Sequence, residues 1–302
     1  MNRFGRILIV GALGQVGREL QRSFAGSGDI LCYDRDEVDI ANPDQVREMI
    51  RATAPDLILN AAAYTAVDRA ETEKELATAI NATAPRVLGE EARRRDILLV
   101  HYSTDYVFDG SKNSPWQETD CPNPLNHYGA SKLAGEQALE QVGGKYLIFR
   151  TSWVYGPHGN NFLLTILRLG RERDRLTIVD DQYGGPTTST ALAEATRSVV
   201  NAVVSGAHGN VEQWAGLYHL TCAGSTSWCG FTREIFSRAG ELLGTRIPQV
   251  LPIPTEAYPT PATRPRNSVL SNEKLRDRFG VQMPEWRVEL ARTIQRLQSE
   301  KS

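Results

Sequence analysis

The stretch Arg6-Ile7-Leu8-Ile9-Val10-Gly11-Ala12-Leu13-Gly14-Gln15-Val16-Gly17 decides the fold. Its apolar run, Ile7 to Val10, is short and β-branched, which predicts a strand over 6–10 buried on both faces. The glycines come next at a spacing of three, and Leu20 and Phe24 then continue at helical spacing. A strand, a glycine turn and a helix in direct succession bring backbone N–H groups and a helix N-terminus to one place, where a pyrophosphate can sit. Gly11 permits the tight turn, Gly14 leaves room for a ligand, and Gly17 lets the helix approach the sheet. Leu13, Gln15 and Val16 complete the candidate phosphate loop. By itself such a stretch is also what a glycine-rich surface turn looks like, so its weight depends on the residues downstream.

The next apolar segment, Ile30 to Tyr33, ends at Asp34, about 20 residues beyond Gly14, where a carboxylate at the tip of a second strand accepts hydrogen bonds from an adenosine ribose. Arg35 is adjacent and suits an adenine ring or a 2′-phosphate, so NADPH and NADH both stay open as cofactors. Asp39 and Ile40 fall on the loop beyond. Asn42-Pro43 opens a helix with Val46, Met49 and Ile50 inward, and Leu57 to Asn60 is a third strand that runs into Ala61-Ala62-Ala63. Small residues after a buried strand admit a flat ligand, or equally a tightly packed helix. A helix over 83–95 and a fourth strand over 97–101 lead to Tyr102-Ser103-Thr104-Asp105. In an open α/β sheet ligands bind beyond the carboxyl ends of the strands, and Thr104 lies at such an end.

Asn126 then caps a helix bearing Tyr128-Gly129-Ala130-Ser131-Lys132. Four residues apart, the phenol and the ammonium share one helix face, and a nearby cation is expected to lower the tyrosine pKa toward working pH. Any helix can carry that pair by chance; downstream of a dinucleotide loop it becomes a proton donor for a developing alkoxide. A fifth strand over 146–151 completes the alternation, which predicts a doubly wound, parallel, Rossmann-like α/β sheet. Beyond Gly156 the rhythm changes: helices over 160–173, 188–204, 231–243 and 285–298, strands over 176–179 and 217–220, and a proline-rich loop from Pro252 to Pro265.

Composition sets the outer bounds. The 302 residues are 41% hydrophobic and 23% charged, with 34 basic against 36 acidic side chains and a net charge of −2. No global field favours nucleic acid or an anionic membrane. Cys32, Cys121, Cys222 and Cys229 show neither CxxC nor metal-ligand spacing, so reduced thiols and no metal site are expected. Arg3 and Arg6 precede an apolar run that the glycines interrupt too early for a signal core, and a cytoplasmic protein is expected.

With Gly11-x-x-Gly14-x-x-Gly17, Thr104 and Tyr128-x-x-x-Lys132 in place, the chain resembles the extended short-chain dehydrogenase/reductases. Within them it is most similar to the dTDP-4-dehydrorhamnose reductases, through Ala61 to Asp68, His101 to Gly110, Phe149 to Gly156 and the Tyr258 to Pro265 loop. The resemblance implies NAD(P)H-dependent reduction of the C4 ketone of dTDP-4-dehydro-β-L-rhamnose, with Thr104, Tyr128 and Lys132 as the catalytic residues. It implies cofactor contacts from Gly11 to Gly17, Asp34, Asp39, Ile40, Ala61 to Ala63, Tyr64, Thr65, Tyr128 and Lys132. It places Ser103, Thr104, Asp105, Trp153, Asn161, Gln182, Pro186 and Arg264 around a dTDP-sugar. On this view residues 1–150 form the dinucleotide domain and 151–302 mainly the substrate domain, with parts of 187–220 packing back. A homodimer is the one protein assembly left open. Two rivals stand beside it: a nucleotide-sugar dehydratase or epimerase, and a non-catalytic cofactor-binding regulatory subunit. Dehydratases of this superfamily carry an Asp-Glu pair after the strand-four Thr; here Asp105 is succeeded by Tyr106.

Overall fold

The computed structural model describes residues 4–206, 208–243 and 247–300; Arg3 lies outside them. Five parallel strands, β1 (Arg6–Val10), β2 (Asp29–Tyr33), β3 (Leu57–Asn60), β4 (Leu98–Thr104) and β5 (Tyr146–Thr151), join a sixth, β6 (Gly216–His219), in the spatial order β6-β5-β4-β3-β1-β2. Side chains alternate across the sheet. Ile7, Ile9, Leu57, Leu59, Val100 and Phe149 enter one core, with Leu20, Phe24, Leu192 and Val199 from helices. Leu8, Val10, Ile58, Leu99 and Ile148 enter the other, against Val46, Ile50, Val87 and Leu88. Helices therefore cover both faces, as continuous apolar strands require.

The order of strands reverses between β1 and β3, and there the loops at their carboxyl ends meet. A crevice outside the strand ends at such a reversal is where open α/β sheets bind ligands. Helix α1 (Gln15–Phe24) starts on one side of it, and α2 (Pro43–Thr53), capped by the Asn42 side chain, returns the chain to β3. Helix α3 (Ala84–Arg94) precedes β4, and α4 (His127–Val142) precedes β5.

Strand β4 runs three residues past the expected His101, to Thr104, because β5 pairs with it from Leu99↔Tyr146 to Thr104↔Thr151. The polar His101, Ser103 and Thr104 disguise a strand that backbone pairing makes continuous. After residue 151 the chain forms smaller pairs: Arg175–Val179 with Gln249–Ile253, Val154–Tyr155 with Thr187–Thr188, and Tyr183–Gly184 with Thr226–Ser227. Pro252 fits its two-stranded pair because no further strand needs its missing N–H. Helix Ser189–Val204 packs beside α1, and β6 then adds to the main sheet. The helix expected over 231–243 divides into Trp228–Arg238 and Gly240–Leu243, and two short helices, Lys74–Thr78 and Glu273–Phe279, were hidden by their lack of a full apolar period. Among the described residues no helix is long and apolar enough to cross a membrane.

Candidate active site

Gly11 has φ of +77°, and a Cβ there would lie 2.6 Å from the Ala62 nitrogen; a Cβ on Gly17 would lie 2.1 Å from the Gly11 oxygen. Both positions exclude a side chain, which keeps the turn flat against the loop after β3. Asp34 braces that turn from below. One carboxylate oxygen accepts the Leu13 N–H at 2.7 Å and the other the Arg35 N–H at 2.8 Å. The resulting cleft is lined by Gly11, Gly14, Asp34, Arg35, Asp39, Ile40 and Ala61 to Ala63, joined by Val38 and Ile80. Gln15, Val16 and Gly17 form the first turn of α1. A glycine cradle closed to any Cβ and a carboxylate at the strand end fit a dinucleotide. Tyr64 and Thr65 do not line this cleft. The Tyr64 phenol donates to Glu73 at 2.7 Å, its N–H donates to Asn81, and Thr65 is exposed.

At the end of β4 the Thr104 hydroxyl donates to Asp105 at 3.0 Å and accepts the Tyr106 N–H at 3.2 Å, and it lies near enough to the Tyr128 phenol to act on its pKa. Tyr128 stands in the first turn of α4, whose cap, Asn126, accepts the Gly129 N–H and donates to the Thr263 carbonyl. The proline-rich loop is thereby tied to the helix that bears the phenol. Burial pushes Tyr128 up to about 12, the nearby Thr104 hydroxyl opposes this, and the Asp105 charge adds to it. Burial likewise raises Asp105 to about 7, against the nearby Ser268 and Thr104 hydroxyls, of which Thr104 bonds one carboxylate oxygen while the other is buried without a partner.

Lys132 is 1% exposed, and its ammonium donates to the Tyr102 carbonyl at 2.6 Å and meets His101 Nε2 at 3.2 Å. Burial lowers it to about 8, with Glu136 working in the opposite direction. The expectation that Lys132 lowers the Tyr128 pKa is therefore corrected: desolvation dominates, and the phenol stays protonated at neutral pH. A protonated phenol is what a proton donor needs.

The predicted substrate residues divide. Arg264 grips Asp68 with both arms, at 2.5 and 2.8 Å, and its charge acts on nearby Tyr106, whose ring meets Tyr128 edge-on at 5.9 Å. Arg264, Asp105, Thr104 and Tyr128 thus gather at one place. Trp153, with φ of +46°, stacks on Trp228 with ring centroids 3.4 Å apart. Gln182 is buried and donates to the Thr255 hydroxyl at 3.1 Å, and Pro186 is buried in the neighbouring turn. Ser103 does not face the others: its hydroxyl donates to Glu136, which holds Arg150 at 2.6 and 2.9 Å in a buried ion pair. In a strand alternate side chains take opposite faces, so Thr104 and Ser103 have to part. Asn161 caps helix Phe162–Glu172, and its amide is held by Gln15 and by the Gly156 and His158 carbonyls. Asp68, Tyr106, Asn60 and His101 were missed as individual site residues. Asp68 and Arg264 meet across 196 positions, a pairing that no local pattern signals.

The profile of the family described as "RmlD substrate binding domain" matches residues 5–299. The dTDP-4-dehydrorhamnose reductase of Burkholderia thailandensis is 46% identical over 98% of this chain and all of its own length. The Escherichia coli protein of the same name is 44% identical over 96% of this chain and 97% of its own. Among solved structures, the dTDP-4-dehydrorhamnose reductase of Bacillus anthracis in complex with NADP superposes with a TM-score of 0.89 at 38% identity, covering 97% of this chain and 99% of that one.

Proposed function

The chain belongs to the dTDP-4-dehydrorhamnose reductase family, and we propose that the residues gathered at the end of β4 carry out the family's reaction. The enzyme is an NAD(P)H-dependent oxidoreductase that reduces the C4 ketone of dTDP-4-dehydro-β-L-rhamnose to give dTDP-L-rhamnose. The single observation that carries the residue assignment is the meeting of Thr104, at the carboxyl end of β4, with Tyr128, in the first turn of α4 and edge-on to Tyr106, at the end of the sheet that also forms the dinucleotide cleft.

The glycine loop, Asp34 and Ala61 to Ala63 would hold the dinucleotide, and Lys132 its nicotinamide ribose. When bound, the nicotinamide supplies the hydride. Tyr128 donates the proton to the oxygen that becomes the C4 hydroxyl, and Thr104 holds that oxygen by a hydrogen bond. Arg264 and Trp153 border the place left for the sugar nucleotide. A dehydratase needs a base beside its acid; the residue after Asp105 is Tyr106, which presents a ring edge to Tyr128 and supplies no carboxylate. A purely regulatory role would give no reason to bury Asp105 beside the phenol and Lys132 one helical turn along α4 from it.

Residues 1–150 hold the dinucleotide and 151–302 mainly the sugar, with Ser189–Val204 and β6 belonging to the first body. The four free cysteines suit a reducing cytoplasm. A homodimer is the assembly proposed, and sedimentation tests it. The deciding assay monitors NADPH and NADH oxidation with dTDP-4-dehydrorhamnose generated in place, with chromatographic identification of dTDP-L-rhamnose. Absence of turnover with both cofactors would overturn the assignment.

A further inference from the structure

Behind Lys132 lies a row of buried polar groups that the reaction does not employ. Asn60, the last residue of β3, and His101 of β4 are register partners, and each is 1% exposed. Asn60 Nδ2 lies 3.0 Å from His101 Nδ1, while Asn60 Oδ1 accepts the Ala62 N–H at 3.3 Å. On the far side of the ring, His101 Nε2 lies 3.2 Å from Lys132 Nζ.

A neutral imidazole has one donor and one acceptor nitrogen. The Ala62 N–H can only donate, so it takes the oxygen end of the Asn60 amide. The NH₂ end then faces His101, and Nδ1 has to accept. That leaves the ring proton on Nε2, aimed at Lys132. Facing a neutral amine, this N–H makes a hydrogen bond; facing an ammonium, it sets donor against donor. Desolvation and the Lys132 charge hold His101 well below its ordinary pKa, so the ring is neutral and must choose a tautomer. The other groups that act on Lys132 are the Tyr102 carbonyl from β4 and the Glu136 carboxylate from α4, the latter already committed to Arg150 and Ser103.

We propose that Asn60 and His101 are positioning residues that present an Nε2–H to Lys132 and favour its neutral amine, so that protonating Lys132 requires the ring to change tautomer and the Asn60 amide to turn away from Ala62 in the dinucleotide cleft. Lys132 protonation is in this way tied to the backbone that lines the cofactor site. The kinetic part rests on Lys132 serving the reductase reaction; the tautomer does not.

The test uses the full-length protein with ¹⁵N-labelled histidine, the His101 signals being identified by their loss in His101→Gln. In the wild type, Nε2 should carry the proton at high pH, and the proton should move to Nδ1 as Lys132 is protonated on going down from about pH 10 to about pH 6. Asn60→Asp offers only acceptors, which should pin the proton on Nδ1 throughout and leave Nε2 free to accept from the ammonium. Its alkaline limb of kcat/KM should move up by about one pH unit, a tenfold gain in relative activity one unit above the wild-type limb. The uncharged His101→Gln, whose amide oxygen can face the ammonium, should move the limb in the same direction. A wild-type ring that keeps Nδ1–H at every pH, or limbs unmoved in both variants, overturns the proposal. Because the tautomer is read without turnover, a failed reductase assignment would leave that answer standing.

Discussion

Asp105→Asn has a pH signature set by the surroundings of the carboxyl it replaces. The Asp105 carboxyl is buried, raised from 3.8 to about 7, and has one oxygen without a partner. Between those two values the native state binds a proton that the unfolded chain has released, so stability falls as pH rises. The carboxyl's full contribution is present below the unfolded pKa and is lost as pH rises through the folded one. About three pKa units at about 1.36 kcal/mol each set a ceiling of about 4 kcal/mol for that loss. Asparagine cannot ionise, and its oxygen can keep the Thr104 bond, but its NH₂ group enters the place of the unpartnered oxygen and costs about 1–3 kcal/mol. The variant should therefore be less stable than wild type by about that amount at pH 4. At pH 8 it should be more stable by about 1–3 kcal/mol, the ceiling less the unpaired amide. Urea unfolding of both proteins across this range measures the difference, and other titrating groups cancel in it. A stability difference independent of pH would refute the placement of a protonated carboxyl beside Thr104.

Tyr128→Phe removes the proposed proton donor and should lower kcat by about 10²–10⁴-fold, with a much smaller effect on NADPH affinity measured by fluorescence titration. Glu136→Gln leaves the Arg150 guanidinium buried and uncompensated and should cost about 3–5 kcal/mol in urea unfolding. Ser103→Ala leaves that ion pair in place, so it should destabilise by only about 1–3 kcal/mol and leave the KM for the sugar nucleotide unaltered; a raised KM with normal stability would restore Ser103 to the substrate site.

How much of this was legible depends on the range of the cause. Asn42 and Asn126 cap the helices next to them, and each cap is written within three residues of its helix, so local sequence finds it; Asn161, read only as a substrate residue, proves to be a cap as well. The glycine loop was equally readable, since a turn between a strand and a helix is a local steric requirement. Strand β4 was cut short because polar residues at 101, 103 and 104 carry no apolar signal, and only pairing with β5 extends them.

The sign of the Tyr128 shift was not legible. Spacing placed Lys132 on the same helix face, but burial and the turn of the ammonium toward Tyr102 and His101 decided the outcome, and burial is a property of what other elements cover. Ser103 turns away from the other predicted substrate residues for a related reason, since strand parity sent its hydroxyl to Glu136 on α4. The sequence by itself determined the doubly wound sheet and the glycine turn, and it marked out Thr104, Tyr128 and Lys132 as candidates, because periodicity, glycine sterics and spacing act over a few residues. Only the tertiary structure decided that Arg264 grips Asp68, that Asp105 is buried with one oxygen unpartnered and that Asn60 and His101 stand behind Lys132, because desolvation and long-range pairing exist only once distant segments have packed.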